Sequence, residues 1–220
     1  MSGAEAGAGA WLEGAGKGFA AASATWRPDS ADGNGSGGYE LSYYAAYGLR
    51  PRLTLGLDLN QSGRLSGHAL LFARLPLRGQ GRHRIALEAA LGGSHQTGDW
   101  QPMQRLTLSY GHGFSTARRS GWLALDAAFE LRQGGMQEIW KLDGTLGFNR
   151  PGAAAPMLQL EASKPEGQRM SAALTPVLRL PLPQQRELIL GLEYRLRADR
   201  APASGARHSL GLELGVWQKF

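Results

Sequence analysis

The five histidines are the side chains of this sequence best suited to acid-base or nucleophilic chemistry. They are His68, His83, His95, His112 and His208. A hydrolytic Ser-His pair needs the two side chains in contact, with a third polar group to orient the histidine. Ser109 and Ser115 each lie three residues from His112, and in an extended strand that offset places side chains on opposite faces. The sequence therefore argues against an enzyme of this kind.

Metal and cofactor sites are equally poorly supported. The chain has no cysteine, which excludes disulfides, thiolate-bound zinc and a cysteine nucleophile. His95 and Asp99 form only a two-ligand fragment, and a calcium or lipopolysaccharide contact through Asp29, Asp32 and Asp99 has no further support. The glycine-rich run 14–18 lacks the spacing and the Ser or Thr of a phosphate-binding loop. We expect no metal and no cofactor.

Bulk composition excludes two further classes. A net charge of +6 would suit nucleic acid only if the basic residues were clustered, and acids and bases instead interleave along most of the chain. The longest apolar run, 69–73, is far shorter than the roughly 18 residues that predict a membrane-spanning helix. The mean hydropathy of −0.29 agrees with that. We therefore predict neither a nucleic-acid partner nor a helical membrane protein.

The dominant pattern is an alternation of apolar and polar residues, repeated many times between short breaks rich in Gly, Pro and Arg. The clearest case sets Leu53, Leu55, Leu57 and Leu59 against Thr54, Gly56, Asp58 and Asn60. The same pattern recurs over 84–91, 187–196 and 209–216. A period of two places one set of side chains on each face of a β-strand.

Twelve such segments predict twelve strands. They are 17–27, 38–48, 51–60, 66–76, 82–92, 103–114, 121–132, 137–149, 156–163, 169–181, 186–197 and 206–220. Most approach or exceed the roughly 9–11 residues with which a tilted strand crosses a bilayer. The fourth fits least well, because Leu70 and Phe72 interrupt its alternation. An even count lets a sheet close with both termini at one end, so we predict an all-β fold, a transmembrane antiparallel up-and-down β-barrel.

The breaks predict an orientation. The shorter breaks at 49–52, 76–81, 115–120, 150–156 and 181–185 contain Arg50, Arg52, Arg78, Arg118, Arg119 and Arg150 but no Asp or Glu, and we assign them to the periplasm. The longer breaks, 27–37 and 92–102, together with 198–205, are assigned to the outside. Aromatic residues should mark the two interfaces: Trp26, Tyr39, Phe129 and Trp140 outside, and Tyr47, Phe114, Trp122, Phe148 and Phe220 at the periplasmic side.

The chain divides into an N-terminal segment, 1–16, and a single barrel domain, 17–220. The stretch 11–19 can fold inward as a small plug or extend as a periplasmic tail, and we favour the tail. Residues 1–9 show neither the basic nor the apolar region of a signal peptide. Because a barrel has to be exported, we expect that a natural signal has been removed.

The residues opposite the leucines should line the lumen. They are Asp58, Arg84, Glu88, Arg105, Asp126, Glu130, Lys141, Asp143, Glu161, Arg179, Glu187, Glu193, Arg195 and Glu213. Such charges either set the selectivity of an open pore or hold a plugged interior together as ion pairs. Small inward residues favour the pore, because they leave space: Gly56, Ala86, Ala90, Ala128, Gly147, Gly191, Gly211 and Gly215.

The C-terminal segment 210–220 resembles the β-signal of bacterial outer-membrane proteins, a final Phe preceded by apolar residues at alternating positions. The matching residues are Leu212, Leu214, Val216 and Phe220, while Gln218 departs from the pattern. The resemblance implies recognition by the barrel-assembly machinery.

A second resemblance covers about 50 residues, through Gly9-Ala10-Trp11, Gly16-Lys17-Gly18-Phe19 and the stretch 47–57. These residues resemble the family of outer-membrane proteins linked to the phenol meta-cleavage pathway. That resemblance implies uptake of small hydrophobic or aromatic compounds.

These observations predict a non-enzymatic, narrow passive pore in the bacterial outer membrane. Its expected partners are outer-membrane lipid, lipopolysaccharide, the barrel-assembly machinery and a small-molecule solute. A lipid-modifying barrel enzyme and an occluded structural scaffold are the alternatives.

Overall fold

The described part of the chain consists of antiparallel strands. The computed structural model describes residues 9–28, 38–64, 66–78, 81–116, 119–132, 136–198 and 206–220. The strands are β1 (Gly18–Arg27), β2 (Gly38–Arg50), β3 (Leu53–Ser62), β4 (Ser66–Arg78), β5 (His83–Gln96), β6 (Asp99–Ser115), β7 (Ser120–Arg132), β8 (Gln137–Asn149), β9 (Ala155–Pro165), β10 (Ser171–Leu182), β11 (Arg186–Ala198) and β12 (Ala206–Lys219). No helix among these residues is long and apolar enough to cross a membrane.

Each strand pairs with its neighbours in the chain, and β1 pairs with β12 to close the barrel. The closing register runs from Phe19 opposite Lys219 to Trp26 opposite Leu212. The chain end completes it, since the Gly18 N–H donates to the Phe220 carbonyl (2.7 Å) and the Phe220 N–H donates to the Gly18 carbonyl (3.0 Å). The predicted twelve-stranded antiparallel barrel is confirmed. We call the end that carries the start of β1 and the end of β12 the termini end.

The apolar half of the alternation forms the outer surface. Leu142, Leu192 and Leu212 expose 47%, 49% and 56% of their surfaces, and most large exposed hydrophobic side chains occupy equivalent outward positions on the strands. A soluble protein rarely leaves so continuous an apolar surface in water, whereas lipid tails solvate it without cost. The outer surface is therefore built to face a bilayer.

Replacing Leu142, in the middle of β8, by arginine should destabilise the barrel by about 2–4 kcal/mol, because the charge would face lipid near the bilayer midplane. Urea titration of the protein in lipid vesicles measures this change in the free energy of unfolding. The control is Glu138→Arg on the same outward face near the strand end, which should cost about 0–1 kcal/mol. Equal effects at the two positions would contradict the membrane depth assigned to them.

One predicted external loop is wrong. The sequence places a long break over 92–102, but β5 continues to Gln96 and β6 begins at Asp99. Thr97 and Gly98 make the connection as a two-residue turn, with φ of 53° and 99°. Two positive φ values are typical of the two-residue turn that fits the right-handed twist of a hairpin. With so short a turn, the polar ends of β5 and β6 continue beyond the part of the barrel that carries the apolar outer surface. The predicted loops 27–37 and 198–205 lie mostly outside the described residues.

Candidate functional site

Part of the lumen is filled by apolar side chains from β2 to β6. Leu70 and Phe72 of β4 point inward and pack in a cluster with Ala46, Ala90 and Met103. The Tyr44 ring, also inward, stacks on Phe72 with a centroid distance of 5.3 Å. These contacts explain why β4 interrupts the alternation: its apolar residues lie on both faces, one set against lipid and one inside the lumen.

Residues 9–16, the described part of the N-terminal segment, also lie within the lumen. Ala10 and Trp11 are only 2% and 6% exposed, and the Trp11 ring meets Trp122 edge-on at a centroid distance of 6.1 Å. Ala10, Trp11 and Trp122 belong to an apolar cluster completed by Ala124, Met157, Val177 and Ile189, with Trp217 packed against it. We call these residues the tryptophan cluster. It joins the N-terminal segment to β7, β9, β10, β11 and β12.

Backbone contacts hold the same segment against β2 and β3. The Glu13 N–H donates to the Thr54 hydroxyl (3.1 Å). The Gly16 N–H donates to the Gly48 carbonyl, and the Gly48 N–H donates to the Lys17 carbonyl, both at 2.9 Å. Gly48 permits this approach, since a Cβ there would overlap the Glu13 and Gly14 backbone. The segment is thus anchored by hydrogen bonds as well as by packing.

Two expectations about the interior need correction. Trp122, predicted at the periplasmic interface, is 1% exposed and points into the tryptophan cluster. The small inward residues do not all leave space, because neighbouring side chains cover the gaps. Trp122 lies over Gly147, Phe72 over Gly56, and Glu213 beside Gly191. Large residues on adjacent strands commonly lean over a glycine, which removes the free volume that the sequence suggests.

A charged cavity remains inside the barrel. Its volume is about 250 Å³. The lining comprises Gly9, Tyr44, Asp58, Arg74, Glu88, Arg105, Thr107, Ser109, Asp126, Ala128, Glu130, Lys141, Asp143 and Thr145. We call it the lumen cavity. It combines hydroxyl groups with charges of both signs, and one wall is formed by the N-terminal segment at Gly9.

Ion pairs organise one side of the lumen cavity. Arg105 lies 2.5 Å from Asp58 and 3.2 Å from Glu88. Arg74 lies 2.6 Å from Glu88 and also donates to the Tyr44 hydroxyl at 2.8 Å. These pairs are well buried, with Arg74 and Glu88 side chains each 5% exposed. Removing one partner of such a pair leaves an uncompensated charge, so the network is sensitive to substitution.

Glu130 links that network to β8. Its side chain is 0% exposed and lies 3.2 Å from Lys141 and 2.7 Å from Arg132. Arg105 approaches it to 4.0 Å. The cationic partners therefore surround a fully buried carboxylate.

A second network of ion pairs lines the lumen on other strands. Arg27 contacts Glu193 at 2.6 Å and Glu40 at 2.8 Å. Arg195 contacts Glu193 at 2.8 Å and Glu161 at 3.1 Å. These pairs join β1, β2, β9 and β11 across the inside of the barrel wall.

The structure brings seven of the predicted lumen residues together in the lumen cavity: Asp58, Glu88, Arg105, Asp126, Glu130, Lys141 and Asp143. Glu161, Glu193 and Arg195 lie in the second network, and Arg179 contacts Glu187 separately at 3.1 Å. Glu213 lies beside Gly191. Arg84 lines another cavity, of about 650 Å³, at the termini end with Glu13 and Arg52.

Within the ion-pair networks of the described residues, the sequence prediction missed Arg27, Glu40, Arg74 and Arg132. A simple signal was present for two of them. Counting in steps of two from the outward Leu41 and Leu71 places Glu40 and Arg74 on the inward face. Arg27 and Arg132 each end a predicted strand, and Arg27 also begins the predicted break 27–37, so both were treated as boundary residues.

Glu13 is a partly buried ionisable side chain in the described part of the N-terminal segment. Burial raises the pKa of its carboxyl above the usual value, and the nearby positive charges of Lys219, Arg74 and Lys17 oppose that rise in part. The docked segment therefore holds a proton more tightly than a free one, and docking is favoured as pH falls.

The residues considered for catalysis do not meet. Ser109 lies in the lumen cavity, whereas the His112 ring lies on the outer face beside His83, with a centroid distance of 4.4 Å. His95 contacts Gln61 at 2.9 Å. Within the described ranges, no group of three or more His, Asp or Glu side chains is arranged to hold a metal ion. Asp29 and Asp32 lie outside those ranges.

The residues of the C-terminal signal lie on the outer surface. Leu212, Leu214, Val216 and Phe220 are 56%, 56%, 40% and 59% exposed. Their strand, β12, closes the barrel against β1.

The fold defines a class, that of closed antiparallel barrels with the architecture of outer-membrane porins. A KdgM porin, whose structure was solved in complex with disordered oligogalacturonate, is similar with a TM-score of 0.61 and 11% identity, covering 92% of this chain and 99% of that one. A NanC porin is similar with a TM-score of 0.61 and 8% identity, covering 90% and 98%. An outer membrane channel from Pseudomonas putida F1 is similar with a TM-score of 0.60 and 13% identity, covering 98% and 99%.

No family model matches the chain, and no curated protein sequence matches it significantly. The resemblance to the family linked to the phenol meta-cleavage pathway is not confirmed. At these identities, the structural similarity shows the fold.

Proposed function

We propose that this protein is a passive outer-membrane channel for small solutes and has no catalytic role. The observation that carries the proposal is the lumen cavity: a space of about 250 Å³, lined by charges and hydroxyls, inside a closed barrel with an apolar outer surface. Lumen charges and pore width set selectivity in such a channel. The similar structures are two porins and an outer membrane channel, which supports the same role for this chain.

The termini end faces the periplasm in this proposal. The start of β1, the end of β12 and several short arginine-bearing turns lie there, as is usual for outer-membrane barrels. Outer-membrane lipid and lipopolysaccharide then surround the apolar surface, and the C-terminal signal serves the barrel-assembly machinery during insertion.

Solute class follows from the lining of the lumen. The family resemblance implies hydrophobic or aromatic compounds, yet most lining residues of the lumen cavity are charged or bear hydroxyls. Burying an apolar solute among paired charges gains little, while a polar solute can exchange hydrogen bonds with them. This lining favours a small polar solute.

An occluded scaffold is the second candidate. The observation in its favour is the tryptophan cluster, in which the N-terminal segment packs across the lumen. In that alternative, the ion pairs stabilise a closed wall and no solute passes.

Planar-bilayer recording decides between the two. A channel gives single-channel steps with the purified, folded wild-type protein, and heat-denatured protein in the same detergent is the control. Steps in the wild type support the channel. Silence in both the wild type and a Trp11→Ala variant contradicts it and supports the scaffold.

A further inference from the structure

The charges around the lumen cavity do not balance. Five of its lining residues carry carboxylates, Asp58, Glu88, Asp126, Glu130 and Asp143, whereas three carry cationic groups, Arg74, Arg105 and Lys141. The lining therefore has two carboxylates in excess of its own cations, and the excess is one when Arg132, which pairs with Glu130 from outside the lining, is counted. A balanced lining would treat anions and cations alike, so this excess bears on what can enter.

The three cations are already occupied by three of the carboxylates. Arg74 pairs with Glu88 at 2.6 Å and Arg105 with Asp58 at 2.5 Å. Lys141 pairs with Glu130 at 3.2 Å. Two carboxylates of the lining, Asp126 and Asp143, remain; among the described residues neither has a cationic group within salt-bridge distance.

The two remaining carboxylates are neighbours. Asp126 of β7 lies directly opposite Asp143 of β8 in the strand register, and both side chains line the lumen cavity. Asp143 is also opposite Glu161 of β9. Glu161 is itself paired with Arg195, so that cation does not compensate the other two. Like charges facing one another inside a barrel repel, and a mobile cation between them relieves that repulsion.

Hydroxyl groups complete the same surface. Ser109 and Thr107 of β6 and Thr145 of β8 line the lumen cavity beside the aspartates. Their oxygens can accept hydrogen bonds from the N–H groups of an ammonium ion, in addition to the charge attraction of the carboxylates. The arginine and lysine side chains of this lining, which would attract an anion, are already engaged with acids.

We propose that the Asp126–Asp143 pair makes this lumen selective for small cations, inorganic or protonated amines, over anions. The inference rests on the proposed channel function and specifies its solute class. Narrow, low-dielectric walls strengthen the effect of an unpaired charge on a passing ion, so two carboxylates at one level of the lumen suffice to bias permeation.

Reversal potentials across a KCl gradient test the proposal. The wild type should pass K⁺ several-fold more readily than Cl⁻, and the double substitution Asp126→Asn with Asp143→Asn should bring the permeability ratio close to one. Asparagine keeps the size of the side chain and removes the repulsion between the two carboxylates, so the double variant should still fold. Its folding is checked by the change in gel migration on heating that a folded barrel shows. Glu138→Gln is the matched control, because it removes one carboxylate from the outward face of β8 and should leave the ratio unchanged.

The outcomes separate this proposal from the channel function itself. Three results would overturn the cation selectivity and leave the channel function intact. They are clear conductance steps with a K⁺/Cl⁻ permeability ratio near one, a preference for anions, and a permeability ratio that the double substitution does not alter. Absence of steps in every variant would overturn both.

Discussion

Replacement of Arg105 by methionine should destabilise the barrel by about 3–5 kcal/mol, because it breaks several buried ion pairs at once. The guanidinium lies 2.5 Å from Asp58, 3.2 Å from Glu88 and 4.0 Å from Glu130, so its loss leaves these carboxylates less compensated. Methionine keeps much of the aliphatic part of the arginine side chain, so the substitution mainly measures the effect of removing the positive charge. Urea unfolding in lipid vesicles, followed by tryptophan fluorescence, measures the change.

Arg186→Met is the control for that experiment. Arg186 is exposed at the beginning of β11, and its substitution should alter the free energy of unfolding by no more than about 0.5 kcal/mol. If Arg105→Met changed the free energy of unfolding as little as Arg186→Met, the ion pairs in the lumen would contribute little to stability. Their presence would then have to be explained by function alone.

Substitution of Trp11 by alanine should release the N-terminal segment and raise single-channel conductance several-fold. Trp11 is 6% exposed within the tryptophan cluster, and truncating a buried tryptophan to alanine costs about 3–5 kcal/mol. The remaining anchors are a few backbone hydrogen bonds to Thr54 and Gly48, each worth about 1 kcal/mol. Bilayer recordings at fixed voltage and salt measure the conductance.

Trp140→Ala serves as the matched control, since this tryptophan is 61% exposed on the outer face and contacts Phe129 rather than the lumen. Its conductance should equal that of the wild type. An unchanged conductance in Trp11→Ala would mean that the N-terminal segment does not narrow the path.

The pH dependence of conductance should have a defined sign. Because burial raises the pKa of Glu13, the docked segment binds a proton more tightly than the released one. Lowering the pH through the range between its ordinary and raised pKa favours docking and decreases conductance, while raising the pH favours release. Glu13→Gln should lose this component of the pH response, and a response in the opposite direction would contradict the docking scheme.

The channel proposal depends on which parts of the lumen are filled by side chains and which parts stay open. Apolar clusters and ion pairs fill much of the cross-section, so the diameter of a twelve-stranded wall does not set the size of the path. The N-terminal segment and the pairing of lumen charges set it instead. The same barrel could therefore be narrowed or opened by a few side chains.

The sequence by itself determined the number of strands, their approximate limits and the face of each strand that meets lipid. These properties are local: alternation with a period of two is visible within about ten residues, because lipid on one side and polar surroundings on the other select each side chain in turn. Leu53 to Leu59 in β3 and Leu210 to Val216 in β12 show this clearly.

Only the tertiary structure decided what occupies the lumen. Arg105 meets Asp58 across 47 positions of the chain, and Arg27 meets Glu193 across 166. Trp122 covers Gly147, so the space that the sequence predicts beside this glycine is filled by a side chain of the neighbouring strand. The alternation of apolar and polar residues specifies that a side chain points inward. The residue that this side chain contacts depends on the strand register and on which segment of the chain enters the barrel. The physical reason is that facing lipid is a property of one position, whereas filling an enclosed interior is a property of many positions at once.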